Sequence, residues 1–582
     1  MQKKWQLKSK IPADVAEEIQ QLLVSSLSPD LSPQGGGNSF LFEQLLYNRG
    51  LTEEKQILEF LNPEYEKLHS PLLFKDMEKA VGRIWQAIEK NEKICVYGDY
   101  DADAITANAV LLQTFKVLNL EAIYYIPDRF SEGYGVNLEA LESIKNQGVS
   151  LIITVDCGTN SIDAVNWCRE NNIDFIITDH HEIIGEVPKA FALINPKNKA
   201  DNYPDTEITG VGVAFKLACG ILERAKGQEL RAKYTTGWEK WLLDLVAIGT
   251  VADCHKLSGE NRILVKYGLL VLAKTKWLGL KALVASAGLD FSKQNPDTYT
   301  LGFVLAPRLN ATGRLEHAGL ALDLLMCNNA VVAQQSAIAI EQINRKRQDT
   351  TALILSEARE KALLVKDRKI LMLMDVNWHK GVVGLVAGKL AEEFRKPTFI
   401  LAQTAKEATG SARTVGNFNV VEALKHSSKH LLRYGGHKQA AGLSIEADNF
   451  ENLYGSLLEF AHQNLSEDDF LPILELEADL SASDLQPKTY NLLTSLEPFG
   501  VGNPKPKFLV SSAEILSQRQ VGTHKQHLQL QVKVGDRTLP AIAFNFKPVV
   551  LTGLVDLACE LMLDTWQGKT NIKLRIVDIR NA

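Results

Sequence analysis

No run of about 18 apolar residues occurs anywhere in the 582-residue chain, so a membrane-spanning helix is not expected. Behind the basic start Met1-Gln2-Lys3-Lys4-Trp5-Gln6-Leu7 there is no apolar stretch of the kind a signal peptide carries. Cysteine pairing is missing as well. The seven cysteines (95, 157, 168, 219, 254, 327 and 559) are scattered, odd in number and never spaced C-x-x-C. A disulfide framework and a thiolate zinc site are therefore excluded as readings, and a reducing, cytoplasmic setting is expected. A basic surplus is also lacking. With 64 Lys+Arg against 70 Asp+Glu the net charge is −6, so any contact with nucleic acid would need a local basic groove.

At 582 residues the chain is too long for one ordinary core, and several domains are expected. Residues 28–39 cluster Pro, Gly and Ser and read as a loop or linker. From about 80 the pattern alternates. Helix-like Met77–Glu89 precedes a strand at Lys93–Gly98. A helix at Ile105–Val117, a strand at Glu121–Pro127 and a helix at Leu138–Lys145 follow. Strands end at "LIITVD" and "FIITD", with a helix near Asp163–Glu170 between them. This rhythm predicts a parallel, doubly wound sheet. Residues 330–364 lack Pro and Gly and predict one long helix able to span two lobes. A second α/β rhythm starts at Lys369–Asp375 and continues through "GVVGLVAGKLAEEF" and "KPTFILA". Near the C-terminus, "KQHLQLQVKV" and "NIKLRIVDI" alternate with period two and predict a small β-barrel. The expected fold class is α/β, with two α/β lobes joined by the long helix and an OB-like β-barrel at the C-terminus.

Open α/β sheets bind ligands beyond the carboxyl ends of their strands. Asp99, Asp101 and Asp103 follow the first strand in "VYGDYDAD". Asp156 follows "LIITV", Asp179-His180-His181 follow "FIIT", and Asp253 follows "LVAIGTVA". Taken singly, Asp156 reads as a helix N-cap, His180-His181 as surface residues and Asp253 as a cap or ion-pair partner. Taken together, they place carboxylates and imidazoles on one functional edge. Oxygen and imidazole donors without thiolate favour two Mg²⁺ or Mn²⁺ ions, which suit phosphoester hydrolysis.

The motifs "GDYDAD", "VDCG", "DHH" and "GTVAD", in this order, resemble those of the DHH phosphoesterase superfamily. "IPDRFSEGYG", "RLNATGR", "WHKGVVG", "YGGHKQAAG" and "PFGVGNPKPKF" resemble its RecJ family of single-stranded-DNA-specific exonucleases, and the similarity covers about residues 45–582. The resemblance implies a DHH catalytic domain at 46–329 after an N-terminal segment and linker (1–45). It further implies a connecting helix at 330–365, a DHH-associated domain at 366–465 and an OB-like domain at 466–582. It implies that Asp101 and Asp156 hold one ion, and that Asp103, Asp156, His180 and Asp253 hold the other. Asp99 would be a ligand or neighbour, and His181 would stand behind the ligands or assist at the scissile phosphate. Two positions depart from the family pattern. Tyr97 stands where many members have a liganding histidine, and Ala104 where Gly is usual.

For substrate contact, Arg308, Asn310 and Arg314 read as lying around a Gly-containing turn, where Arg forks suit phosphate. Ser411, Arg413, Gly435, Gly436 and His437 form the corresponding set in the second lobe, with Gly435 read otherwise as a helix C-cap. Trp378 and His379 read equally as core and cap or as cleft lining. On the barrel, His524, Lys525, His527, Lys533, Arg537, Phe544, Phe546 and Lys547 would suit a stacking platform, though alternate Phe on a strand is usually core. Arg345, Lys346 and Arg347 read as a solvated helix face.

The resemblance implies 5′→3′ hydrolysis of single-stranded DNA to mononucleotides in repair and recombination. A single-strand-binding protein and a helicase are the implied protein partners. Two rival readings stand beside it. One is a superfamily phosphoesterase acting on short oligonucleotides or nucleoside bisphosphates. The other is a non-catalytic replication scaffold, which the retained acidic set disfavours.

Overall fold

The computed structural model describes residues 3–26, 40–133, 135–225, 237–546, 551, 553–566 and 569–582. The Pro/Gly/Ser stretch and Lys547 lie outside them. Among the described residues no helix is long and apolar enough to cross a membrane.

The first sheet follows from strands that are apolar on both faces. Ile94 and Val96 face one core and Cys95 and Tyr97 the other, as in a strand covered on both sides. Five parallel strands lie in the order Ala122–Tyr125, Lys93–Gly98, Val149–Val155, Asp174–Thr178, Ala192–Ile194. Helices Met77–Glu89, Ala102–Val117 and Gly210–Ala225 cover one face, and Leu138–Asn146 and Ile162–Glu170 the other. The chain starts in the second position, steps to one edge, then crosses to the opposite side. The strand order therefore reverses between Lys93–Gly98 and Val149–Val155, which is where a doubly wound sheet opens its crevice. Asp99, Asp101, Asp103 and Asp156 leave these two strands, Asp179-His180-His181 leave the neighbouring Asp174–Thr178, and Asp253 ends helix Leu243–Ala252.

The predicted helix at 105–117 begins three residues earlier. Asp101 caps it, its Oδ1 accepting from the N–H groups of Asp103 (3.0 Å) and Ala104 (3.1 Å). Ala104 is thus ordinary helix, and the turn needs no glycine there.

Helix Ala330–Leu364 has 35 residues, about 52 Å at 1.5 Å per residue. Ala333, Ala337 and Ile340 pack into the first lobe, and Ile354, Ala358 and Ala362 into the second. The second lobe carries a mixed sheet in the order Arg433–His437, Ala440–Glu446, Glu407–Arg413, Thr398–Gln403, Leu371–Asp375. Only its last pair is parallel.

The C-terminal strands Phe508–Val521, His527–Val534, Arg537–Ala543, Leu554–Trp566 and Lys569–Asn581 close into a barrel. Its core is shared with the N-terminal stretch. Ile11, Ala16, Ile19, Leu23, Leu45, Leu46, Ile57 and Leu61 pack with Leu480, Leu485, Phe508 and Val510. Lys4–Leu7 pairs in parallel with Ile473–Leu476. The N-terminal residues are therefore built into the barrel's support, because their apolar residues recur at helical spacing and need a covering surface. Arg262 ties this body to the first lobe. It stacks on Phe60 at 3.8 Å and donates to the carbonyls of Phe60, Leu496, Glu497 and Pro498.

Candidate metal and phosphate site

Asp156 does not cap a helix. The next helix starts at Ile162 behind Ser161, and Asp156 itself sits at φ +57° with its N–H donating to the Thr178 carbonyl at 3.0 Å. A left-handed non-glycine residue at a buried strand end is strained backbone retained by its surroundings. It turns the carboxylate toward His180, whose Nε2 lies 3.0 Å from Asp156 Oδ1 and 3.6 Å from Asp253 Oδ2. His181 Nδ1 is 4.0 Å from the same Asp156 oxygen.

Asp103 is buried at the N-terminus of helix Gly210–Ala225. Its two oxygens accept from the N–H groups of Gly210 (2.9 Å) and Val211 (3.0 Å), a natural anion position. Gly210 also lets the helix approach Asp156, since a Cβ there would lie 2.5 Å from Asp156 Oδ1. Neither glycine role is visible in "ITGVGV" alone. Gly210→Ala is expected to cost about 1–3 kcal/mol of stability through overpacking, with a loss of activity. Gly455→Ala, inside helix Phe450–Asn464 where nothing lies within 4 Å of the added methyl, leaves activity unchanged and raises stability by about 0.5–1 kcal/mol; thermal melts and nuclease assays of the pair check this.

Asp179 orients the pair of histidines. Its Oδ1 accepts from the His180 N–H (2.7 Å), the His181 N–H (3.2 Å) and His181 Nδ1 (2.8 Å), and Oδ2 accepts from Thr159 N–H (2.9 Å). Burial pushes the Asp179 carboxyl up, but the His181 hydrogen bond and the attraction of that ring hold it below the usual carboxylate range. Burial opposes protonation of His181, and the Asp179 contact outweighs it, so His181 sits above the ordinary histidine range.

Electrostatically, the site is short of cations. Burial, then repulsion from Asp101, pushes Asp99 up to about 8 and Asp103 up to about 7. Burial and Asp103 raise Asp156 and Asp253 well above the carboxylate range. Burial, then His181, drives His180 well below its ordinary value, so its ring is neutral. Asp99 Oδ1, Asp156 Oδ1, Asp253 Oδ2 and both ring nitrogens of His180 are buried without a hydrogen-bond partner. The close His180–Asp156 approach is therefore not an aligned hydrogen bond. Orphaned buried polar atoms of this kind are rare in proteins unless an ion or water meets them. Asp156, His180 and His181 offer donor atoms within 4.8 Å of one another, and so do His180, Asp253 and His255. This donor set fits divalent cations of the Mg²⁺ or Mn²⁺ type.

Tyr97 takes no part in it. Its hydroxyl donates to the Gly135 carbonyl at 3.0 Å, its ring stacks on Tyr125 at 5.3 Å, and the side chain belongs to the core on the far face of the sheet.

A cationic group faces the acidic one. Burial and the guanidiniums of Arg129, Arg347 and Arg413 lower Arg314 to about 9, while Asp101 acts in the opposite sense. Arg314 Nη1 lies 3.4 Å from the Gly381 carbonyl of the second lobe. Lys380 donates to the Phe130 carbonyl, and His379 meets the Phe130 ring edge-on at 5.7 Å, so the second lobe closes over this point. Arg413 Nη1 donates to Ser411 Oγ at 2.7 Å. Arg129, which lies over Tyr100 at 4.7 Å, joins this group, a role its place in "IPDRFSEGYG" does not disclose.

Several expected contacts fall differently. Arg308, Asn310 and Arg314 lie on helix Ala306–Leu315, not a turn. The Arg308 guanidinium is taken by Glu341 (2.8 Å) and the Val304 carbonyl. Asn310 Oδ1 accepts from Ala102 N–H at 2.8 Å and so positions the acidic helix. Gly435, Gly436 and His437 lie on an exposed edge strand, which removes the helix-cap reading of Gly435. Trp378 is core, donating to Glu357 at 2.9 Å. Arg345 is exposed beside Glu341, whereas Arg347 turns inward to Asn344. On the barrel, Phe544 is 46% exposed, flanked by His527 and Arg575, and Phe546 packs on the core. Arg537 is bound to the Leu485 carbonyl and Lys533 lies 3.9 Å from Glu514. His524 and Lys525 are exposed.

Three family models match the chain: the DHH family, N-terminal domain, at 93–250, the DHHA1 domain at 367–466 and the RecJ OB domain at 476–578. The single-stranded-DNA-specific exonuclease RecJ of Bacillus subtilis (strain 168) is 37% identical over 548 residues, covering 92% of this chain and 67% of that protein. Its namesake from Haemophilus influenzae is 31% identical, covering 93% and 96%. The crystal structure of RecJ in complex with Mn²⁺ from Thermus thermophilus matches with a TM-score of 0.83 and 27% identity, over 100% of this chain and 80% of that one. The corresponding Mg²⁺ complex gives 0.76 and 26%, over 100% and 78%.

Proposed function

The chain belongs to the RecJ family of DHH-domain proteins, and on that premise we propose that it is a metal-dependent exonuclease. It hydrolyses single-stranded DNA from the 5′ end to mononucleotides. The observation that carries this reading is the convergence of buried, partnerless carboxylate and imidazole atoms at the point where the strand order reverses. Two divalent cations would be held by Asp101, Asp103, Asp156, His180 and Asp253, with Asp99 beside them. They supply activation of a water and neutralisation of the charge that builds on the phosphoryl group.

The remaining work belongs to the chain. Asp103 is fixed by the helix N-terminus at Gly210 and Val211, so its carboxylate does not reorganise. Asp179 accepts from His181 Nδ1 and so orients that ring beside Asp156, toward the scissile phosphate. Arg314 and Arg413, with Arg129, give phosphate oxygens forked donors where the lobes meet. Ser411 sets the Arg413 fork, and the exposed strand 433–437 offers backbone N–H groups and His437 along the incoming strand. Phe544 on the barrel suits base stacking. Work on DNA in the cytoplasm, in repair and recombination beside a single-strand-binding protein and a helicase, completes the reading.

The test compares three substrates in Mn²⁺: a long single strand labelled at the 5′ end, the same strand labelled at the 3′ end, and a dinucleotide. Early release of the 5′ label, with the 3′ label retained until the strand is consumed, is expected. Cleavage of the dinucleotide alone would favour the small-substrate phosphoesterase. Tight binding of the long strand without any cleavage would favour the scaffold.

A further inference from the structure

His255 stands two residues past Asp253, outside the acidic motif. Its Nδ1 lies 3.0 Å from the Glu207 carbonyl. A carbonyl only accepts, so Nδ1 carries the hydrogen and the Nε2 lone pair points away from Glu207. Nε2 lies 3.3 Å from Asp253 Oδ2, and the His255 ring centroid is 4.9 Å from that of His180. His180 Nε2 lies 3.6 Å from the same Asp253 oxygen, so the two imidazoles converge on it. All three atoms lie within 4.8 Å of one another. Ligand bonds of about 2.1 Å put neighbouring donors about 3 to 4.2 Å apart around one cation, which is the scale of this group.

The independent observation is that neither His180 nitrogen nor Asp253 Oδ2 has a hydrogen-bond partner, although His180 is 4% exposed. The support behind His255 is also that of a ligand. Asn261, fully buried, donates to the same Glu207 carbonyl at 2.6 Å and fixes it, and a carbonyl on the far ring nitrogen is how liganding imidazoles are usually held. Cys254 adopts φ +59°, a strained left-handed turn that brings the His255 ring back toward the site.

We propose that His255 is a direct ligand of the cation shared by His180 and Asp253, giving that position two imidazoles and a preference for Mn²⁺ over Mg²⁺. The proposal rests on the metal-site reading above and goes beyond it in the ligand set and in metal choice. Mn²⁺, the first member of the transition series, takes nitrogen donors more readily than Mg²⁺, which demands a near-ideal octahedron of oxygens and gives up its waters reluctantly.

The test uses the full chain, its histidines ¹⁵N-labelled, loaded with Mn²⁺ and read by pulsed electron paramagnetic resonance for nitrogens coupled to the ion. Free Mn²⁺ and Mg²⁺ titrations run in parallel. Two coupled imidazole nitrogens are expected in the wild type and one in His255→Val. The variant should bind Mn²⁺ about tenfold or more weakly, while its Mg²⁺ affinity changes by less than about twofold. His255→Asn, which can offer Asp253 an amide N–H but no imidazole nitrogen, should behave like His255→Val. A single coupled nitrogen in the wild type, or equal weakening of Mn²⁺ and Mg²⁺ with rescue by His255→Asn, would overturn the proposal and leave His255 as a positioning residue for Asp253. Failure of the metal-site reading is separately visible: the wild type would then bind Mn²⁺ no better than Asp156→Asn.

Discussion

Asp156→Asn is expected to reduce nucleotide release from single-stranded DNA by about 10³-fold or more while leaving the metal-free protein at least as stable as the wild type. The two effects have one origin. Asp156 is buried among Asp103, Asp101, Asp253 and Asp179, all of which repel its charge, and its Oδ1 has no hydrogen-bond partner. Without a cation this carboxylate is a cost to folding, and an isosteric amide removes it. With a cation it is the carboxylate whose Oδ1 lies within 4.0 Å of both His180 and His181, so its removal strikes the centre of the site. Asparagine is the informative substitution because position 156 sits at φ +57°, which Asn tolerates and Ala does not. Rates on 5′-labelled DNA and thermal melts in chelator check the pair. Retention of more than a tenth of the activity would sink the assignment.

The acidic set was legible because each member lies next to the end of an apolar run, and strand ends of one sheet share an edge. The order of the strands, which places Asp99 and Asp156 on either side of the crevice, was not written in any local pattern. Misreadings have the same physical cause. A sequence shows that Arg308 has a fork, but not that Glu341 takes it from a helix 33 residues away. It shows a glycine at 435, but the pairing with Gly442 that makes it a strand residue is a tertiary fact. Gly210, Arg129 and His255 escaped for a related reason: their importance lies in what they touch, and those partners come from other segments. The N-terminal residues are the extreme case, since their covering surface lies more than 400 residues onward, as in the Asn48 contact to Glu477.

The pH dependence of metal-free stability should expose the acidic site directly. Asp99 and Asp103 titrate near 3.8 when unfolded and at about 8 and about 7 in the fold. Between those values the folded state holds more protons than the unfolded one, so stability is full below about pH 4 and falls as pH rises through 7 to 8. For Asp103, the rise from 3.8 to about 7 corresponds to about 4 kcal/mol, and because the carboxylates titrate against each other their contributions overlap. In chelator the melting temperature should therefore drop by several degrees between pH 5 and pH 8. Saturating Mn²⁺ should abolish most of that slope, because the cation takes over the charge that protons otherwise neutralise. The gap between loaded and chelated protein then widens with pH. Asp244 supplies an internal control. Buried at the opposite end of helix Leu243–Ala252 from Asp253, and pushed up to about 6 by burial, it adds a slope of the same sign that Mn²⁺ does not remove. Asp244→Asn should flatten only that residual part. A metal-free protein whose melting temperature rises from pH 5 to pH 8 would mean that these carboxylates ionise freely in the fold, and the site would lose its electrostatic demand for a cation.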